Sequence, residues 1–112
     1  MKKEYSLKKS KDFDVVINKG IKTRTKHLFI ATRRSKEFKL GISIPKKLGN
    51  AVFRNKNKRR IKNIIDEIKP YNNKLHIVII VKKEFTDLSF EEKKKILRRD
   101  LNKAIKNSNG NK

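Results

Sequence analysis

The chain has 112 residues, of which 33 are Lys or Arg and 11 are Asp or Glu, giving a formal net charge of +22. That length suits one compact domain with a single core, and at 35% hydrophobic content the core must be lean. The charge selects polyanions as partners, nucleic acid first and an anionic membrane second; the absence of cysteine excludes disulfides and thiolate chemistry.

Residues 1–9 are mostly polar and basic and read as a loose arm. Ser10 can cap a first helix over 11–19, with Asp12 and Asp14 near its positive end and Gly20 as its stop. Its apolar face holds Phe13, Val16 and Ile17. Strands follow. A short one is expected at 21–25. In 26–33, Leu28 and Ile30 point to one side while Phe29 and Ala31 point to the other. In 38–44, Phe38, Leu40, Ile42 and Ile44 alternate cleanly, and Pro45 ends the run.

A long helix is predicted over 51–69, stopped by Pro70. Ile61, Ile64, Ile65 and Ile68 form its core stripe. Residues 75–83 make the most hydrophobic strand, expected at the sheet centre. Ser89 and Glu92 form a capping box for a last helix over 90–106, with a stripe of Phe90, Leu97, Leu101, Ala104 and Ile105. Residues 107–112 are expected to fray. The chain thus reads as one nucleic-acid-binding domain, 1–112, with flexible ends at 1–9 and 107–112. The longest apolar run, Ile77 to Val81, is far short of the ~18 residues of a membrane span. With no lipidation motif or signal-peptide pattern, no membrane partner is expected and a cytoplasmic location fits.

The most informative segment is 46–60, KKLGNAVFRNKNKRR, which has seven cations and no acid. On a helix, the isoleucine stripe occupies only the second half. Continued backward, that face meets Asn57 and Arg54. The first two turns therefore present Arg54, Asn55, Lys56, Lys58 and Arg59 to a partner rather than to hydrocarbon. Gly49 permits a close backbone approach, Asn50 can cap the helix, and the helix start itself favours phosphate. Lys46 and Lys47 flank that entrance. A solvated charged helix is the bland alternative, but the missing acids and the half-length stripe argue against it.

This motif resembles the signature of the bacterial ribonuclease P protein component: Lys46, Lys47, Gly49, Ala51, Arg54, Asn55, Lys58 and Arg59 fall in place. The likeness extends to the early helix ending in Gly20 and to the acidic pair Glu91–Glu92 opening the last helix. Lys56 stands where the family commonly has Arg, Ile17 where several relatives have an aromatic, and Ala31 where some have Tyr. The resemblance implies an α+β fold, a two-layer α/β sandwich of order αβββαβα. Its four-stranded sheet would have a left-handed strand–helix–strand crossover, against the usual rule. It implies a protein subunit of ribonuclease P that binds the catalytic RNA subunit and the 5′ leader of precursor tRNA, with magnesium expected at the RNA. The RNA-binding set would be Lys46, Lys47, Gly49, Arg54, Asn55, Lys56, Lys58, Arg59 and Lys62. The leader groove would use Phe13, Ile17, Phe29 and Ala31, with the two phenylalanines as stacking surfaces.

The residue chemistry points away from a stand-alone nuclease. Protein nucleases commonly gather carboxylates around metal ions, whereas the acids here are scattered. Asp66 lies four residues after Lys62, so the two could pair on the helix surface. His27 and His76 are far apart with no companion ligands, so neither a catalytic nor a metal-ligating residue is expected. A ribosomal or other structural RNA-binding protein would share the charge and size, but would not require Gly49, Ala51 and Asn55 in register.

Overall fold

Leu75–Val81 carries the most apolar run, and the fold is arranged around it. In the computed structural model, which describes residues 1–110, that run is strand β4. Strand β2 (Leu28–Arg34) pairs antiparallel on one side of it, and β3 (Lys39–Ser43) pairs parallel on the other. Strand β1 (Ile21–Arg24) extends the sheet beyond β2, giving the order β1-β2-β4-β3. Ile77, Val78 and Ile79 have no exposed surface, as expected of a strand covered on both faces.

The helices are α1 (Ser10–Lys19), α2 (Ala51–Ile68), α3 (Lys83–Thr86) and α4 (Phe90–Gly110). The architecture is the α+β class with a mixed four-stranded sheet, and α2 is the crossover between the parallel neighbours β3 and β4. Among the described residues, the single turn α3 and the 3₁₀ turns Lys3–Tyr5 and Lys46–Leu48 are additions to the expected order. The alternation read from the sequence sets the two faces. Leu28, Ile30, Leu40, Ile42, Ile77 and Ile79 face α2 and α4. Ala31 and Val78 face α1, where Val16 and Leu7 cover them.

Local chemistry explains the helix limits. Asn50 Oδ1 accepts a hydrogen bond from the Phe53 amide at 2.9 Å, capping α2. Lys69 ends that helix in the left-handed region, at φ 54°, and Pro70 follows. Ile61, Ile64 and Ile65 are buried, each stabilising the packing of α2 by roughly 1.5–3 kcal/mol. Ser89 and Glu92 exchange hydrogen bonds at 3.2 and 3.3 Å, the capping box of α4. Ser10 is not the cap of α1: Lys9 takes that position without a side-chain bond, and Ser10 is the first helical residue.

Several expectations are corrected by packing. Residues 1–9 lie against the fold. Lys3–Tyr5 form a 3₁₀ turn, and Tyr5 stacks on Tyr71 at 4.4 Å with Phe38 edge-on at 5.8 Å. The Leu7 amide then bonds the Leu40 carbonyl along the outer edge of β3. The last helix continues to Gly110, with Asn107 donating to Thr23 and Ser108 buried; residues 111–112 of the expected frayed tail lie outside the described residues. Phe90 leaves the stripe and is 41% exposed, with Lys94 over its ring, while Lys93 and Asp100 take buried positions on the same helix. Asp66 pairs with the Met1 amine at 2.6 Å and with the Tyr71 hydroxyl, not with Lys62. Among the described residues no helix is long and apolar enough to cross a membrane.

Candidate nucleic-acid interface

The basic segment 46–60 is at the surface. Lys46 and Lys47 lie in a 3₁₀ turn after Pro45, both exposed. Gly49 has an extended backbone that any residue could adopt. Its necessity is steric instead: a Cβ there would stand 2.3 Å from the Phe53 ring. That close approach lets Phe53 pin the first turn of α2. Asn55, Lys56 and Arg59 are exposed on the helix face turned away from the core. Val52, 76% exposed, stands among them.

Arg54, Lys58 and Lys62 recur every four residues and form a separate flank of α2. This flank is half-buried and turns toward α1. Asn57, on the core side of the same turns, is buried. It donates to the Phe53 carbonyl at 2.9 Å and accepts from Lys93 Nζ at 3.3 Å. Lys93 thereby ties α4 to the first half of α2. Burial lowers its pKa, the nearby Arg60 charge lowers it further, and Asp87 opposes the shift.

Between the α2 flank and α1 runs a groove of about 500 Å³. Phe13 and Ile17 form one wall, Arg54 and Lys58 the other, with the β3 end at Ile42–Pro45 and Ile80 of β4 below. Arg54 Nε is buried there without a hydrogen-bond partner, a donor whose cost is relieved once an acceptor enters. Asp14 brings one carboxylate to the rim. Lys8, from the arm, lines the groove and a smaller depression of about 260 Å³ beside it, which Lys58 and Lys62 also reach. The arrangement offers an apolar wall for bases and a cationic wall for phosphates.

The expected groove residues separate. Phe13 and Ile17 are half-buried and line it. Ala31 is fully buried beneath α1 and belongs to the floor packing. Phe29 is paired with Ile80 in register, half-exposed on the same sheet face, and carries the Arg24 guanidinium 5.2 Å from its ring centroid. Residues missed by sequence reasoning are Gly41, Ile80, Ser43 and Lys8. Gly41 had a readable signal, since a glycine inside a strand marks a close approach: a Cβ there would stand 2.3 Å from Cζ of Phe13. Lys8 had none, being one lysine among many. Among the described residues no three His, Asp or Glu side chains gather as a metal cluster.

Comparison with known proteins gives a consistent result. Residues 1–106 match the family described as Ribonuclease P. The chain is 40% identical over 106 residues to the ribonuclease P protein component of Mycoplasma mobile, covering 91% of this chain and 95% of that one. It is 39% identical to the Bacillus velezensis protein of the same name, covering 87% and 86%. Among solved structures, it is similar to a Staphylococcus aureus RNase P protein mutant with defective mRNA degradation activity, at a TM-score of 0.83, 32% identity and 91% and 89% coverage. It is also similar to the RNase P protein from Thermotoga maritima, at a TM-score of 0.72, 26% identity and 91% and 96% coverage.

Proposed function

The chain belongs to the family of ribonuclease P protein components, the protein subunit of that ribonucleoprotein endoribonuclease, and on that premise we propose how it serves the reaction. It binds the catalytic RNA subunit through the exposed part of segment 46–60: Lys46, Lys47, Asn55, Lys56 and Arg59. It holds the single-stranded 5′ leader of precursor tRNA in the groove between α1 and α2. Bases lie against Phe13 and Ile17, with Ile80 below, while Arg54 and Lys58 meet phosphates. Phe29 extends the apolar surface beyond the groove. The protein breaks no bond. Its contribution is to raise substrate affinity and to align the scissile bond on the RNA subunit, where magnesium supplies the charge stabilisation of the reaction. No metal ligand is assigned to this chain, and its working place is the bacterial cytoplasm.

The observation that carries this reading is the opposition of the two groove walls, with the partnerless, buried Nε of Arg54 on the cationic one. The test is cleavage of precursor tRNA at low magnesium by the protein alone, the RNA subunit alone, and both together. The protein alone is expected to be inactive and the mixture strongly enhanced over the RNA. Leader removal by the protein alone would overturn the reading.

A further inference from the structure

We propose that the chain carries a second anion site, for a phosphate group, at the β1 edge of the sheet. A recess of about 200 Å³ lies where α1 ends, β1 begins and the last turn of α4 meets the end of β2. It shares no lining residue with the groove, which lies toward the β3 edge, and it does not depend on what the groove holds. Thr32 and Ser108 line the recess, 1% and 2% exposed. Thr32 Oγ1 and Ser108 Oγ are both buried without a hydrogen-bond partner. A serine within a helix often returns its hydroxyl to the carbonyl one turn before; Ser108 does not. Its neighbour Asn107 does reach the sheet, donating to Thr23 Oγ1 at 3.1 Å. The helix end is therefore docked, and the two hydroxyls are still unmet. Around them stand Lys19, Arg33 and Arg34, all exposed, with no acid in the lining. Among the described residues none of these three cations forms an ion pair.

The chemistry selects the ligand. A buried hydroxyl without a partner carries a desolvation cost that an acceptor removes. Two such donors beside three cations call for one group with several anionic oxygens, and a phosphate supplies them. An apolar ligand leaves the hydroxyls unmet, and a cation is repelled. The C-terminal ends of α1 and α4 act against an anion, each worth about half an elementary charge. Three full side-chain charges outweigh them. A water satisfies the hydroxyls but leaves the cations uncompensated. Gly20 makes the site compact: a Cβ there would stand 2.4 Å from the Thr32 carbonyl oxygen. The turn from α1 into β1 thus passes close against β2 and brings Lys19 to the rim. The phosphate has two sources, an RNA backbone or the free inorganic ion, and the recess meets the same oxygens in either.

The test uses the full chain and inorganic phosphate, compared with chloride at equal ionic strength so that screening cancels. Thr32→Val combined with Ser108→Ala removes both hydroxyls at nearly constant shape. In chloride this double variant is expected to raise the urea midpoint, because an unmet cost is gone. In phosphate the native protein should gain more than the variant, whose phosphate dissociation constant should be weakened about tenfold. Arg34→Gln, on the exposed surface, should weaken it roughly twofold to fivefold without touching the core. The groove contributes equally to native and variant proteins, so its own anion binding drops out of the comparison. A midpoint lowered equally in chloride and in phosphate would assign the hydroxyls to packing or to a bound water and overturn the proposal. Equal phosphate gains in the native protein and both variants would also overturn it. Filter binding to the RNA subunit and to precursor tRNA then identifies the source. A matching loss of RNA affinity, with the salt slope reduced by about one in Arg34→Gln, assigns an RNA backbone phosphate. Unchanged RNA affinity with the phosphate effect intact assigns the free ion.

Discussion

Gly41 tests the geometry of the groove most sharply. Its Cα lies on the sheet face under α1, paired in register with Val78. A Cβ there would stand 2.3, 2.7 and 2.9 Å from Cζ, Cε1 and Cε2 of Phe13. Carbon atoms pack at ~3.5–4.0 Å, so Gly41→Ala forces the ring back by roughly 1–1.5 Å. The ring is wedged against the packed layer of Leu7, Val16, Ala31 and Val78, so overpacking should cost about 1–3 kcal/mol. For a domain of this size that lowers Tm by roughly 4–13 °C. In a Phe13→Ala background the obstacle is gone, and the same glycine change should cost less than ~0.5 kcal/mol. The double-mutant cycle, measured by urea unfolding at fixed sulfate, should therefore give a coupling of about 1–3 kcal/mol. The displaced ring should also weaken precursor tRNA affinity in proportion to leader length while leaving RNA-subunit affinity intact. Additivity within ~0.5 kcal/mol would refute the contact, and with it the placement of Phe13 as a groove wall.

Arg54→Ala should weaken binding of leader-bearing precursor by about tenfold, the loss expected of a charged hydrogen bond. Lys95→Ala, on the exposed surface of α4, should lose far less, and equal losses in filter binding would favour an undifferentiated charge effect. Asn50→Ala removes the α2 cap and should cost ~1 kcal/mol of stability, seen as a shifted urea midpoint. Lys93 gives a pH dependence. Its pKa is held below the ordinary 10.5 by burial and by Arg60, so at alkaline pH the unfolded chain binds the proton that the folded chain has released. Stability should rise with pH through that window. Near pH 10 it meets the opposing effect of Tyr71, whose hydroxyl is pushed above its ordinary 10.0 by burial and by Asp66. Lys93→Met should flatten the rise in unfolding free energy measured across the window; an unchanged slope would assign it elsewhere.

The order of elements was legible because period and punctuation agree along this chain. Alternation in 28–31 and 38–44 set the strands and their faces, and the isoleucine spacing in 61–68 set the core side of α2. What was not legible came from contacts between distant segments. The arm reads as polar, yet Tyr5 finds Tyr71 and Phe38, and Leu7 finds the sheet. Nothing within residues 1–9 announces those partners. Lys93 and Asp100 would be placed on a wet face by composition alone. Their burial depends on Asn57 and Thr25, which lie on other elements and supply the hydrogen bonds. Phe90 fails in the opposite sense: its position on the helix face matches the stripe, yet it stands largely exposed beneath the Lys94 ammonium.

The basic segment shows why the site was half readable. A half-length hydrophobic stripe announces that the first turns of α2 serve something other than the core, and that much follows from residue spacing. Spacing also divides the polar residues into two sets, since Arg54, Lys58 and Lys62 lie a turn apart while Asn55, Lys56 and Arg59 lie opposite the core. It cannot say what the first set faces. That depends on where the sheet positions α1, which in turn depends on Gly41 admitting Phe13 and Gly20 admitting the turn into β1 against the Thr32 carbonyl. Two glycines without side chains therefore decide that one cationic flank looks into a groove while the other looks into solvent. A single helix can then meet two RNA strands at once, one on its outer face and one along its flank. Mutations on the two faces of α2 should separate RNA-subunit affinity from leader affinity, because no α2 side chain belongs to both.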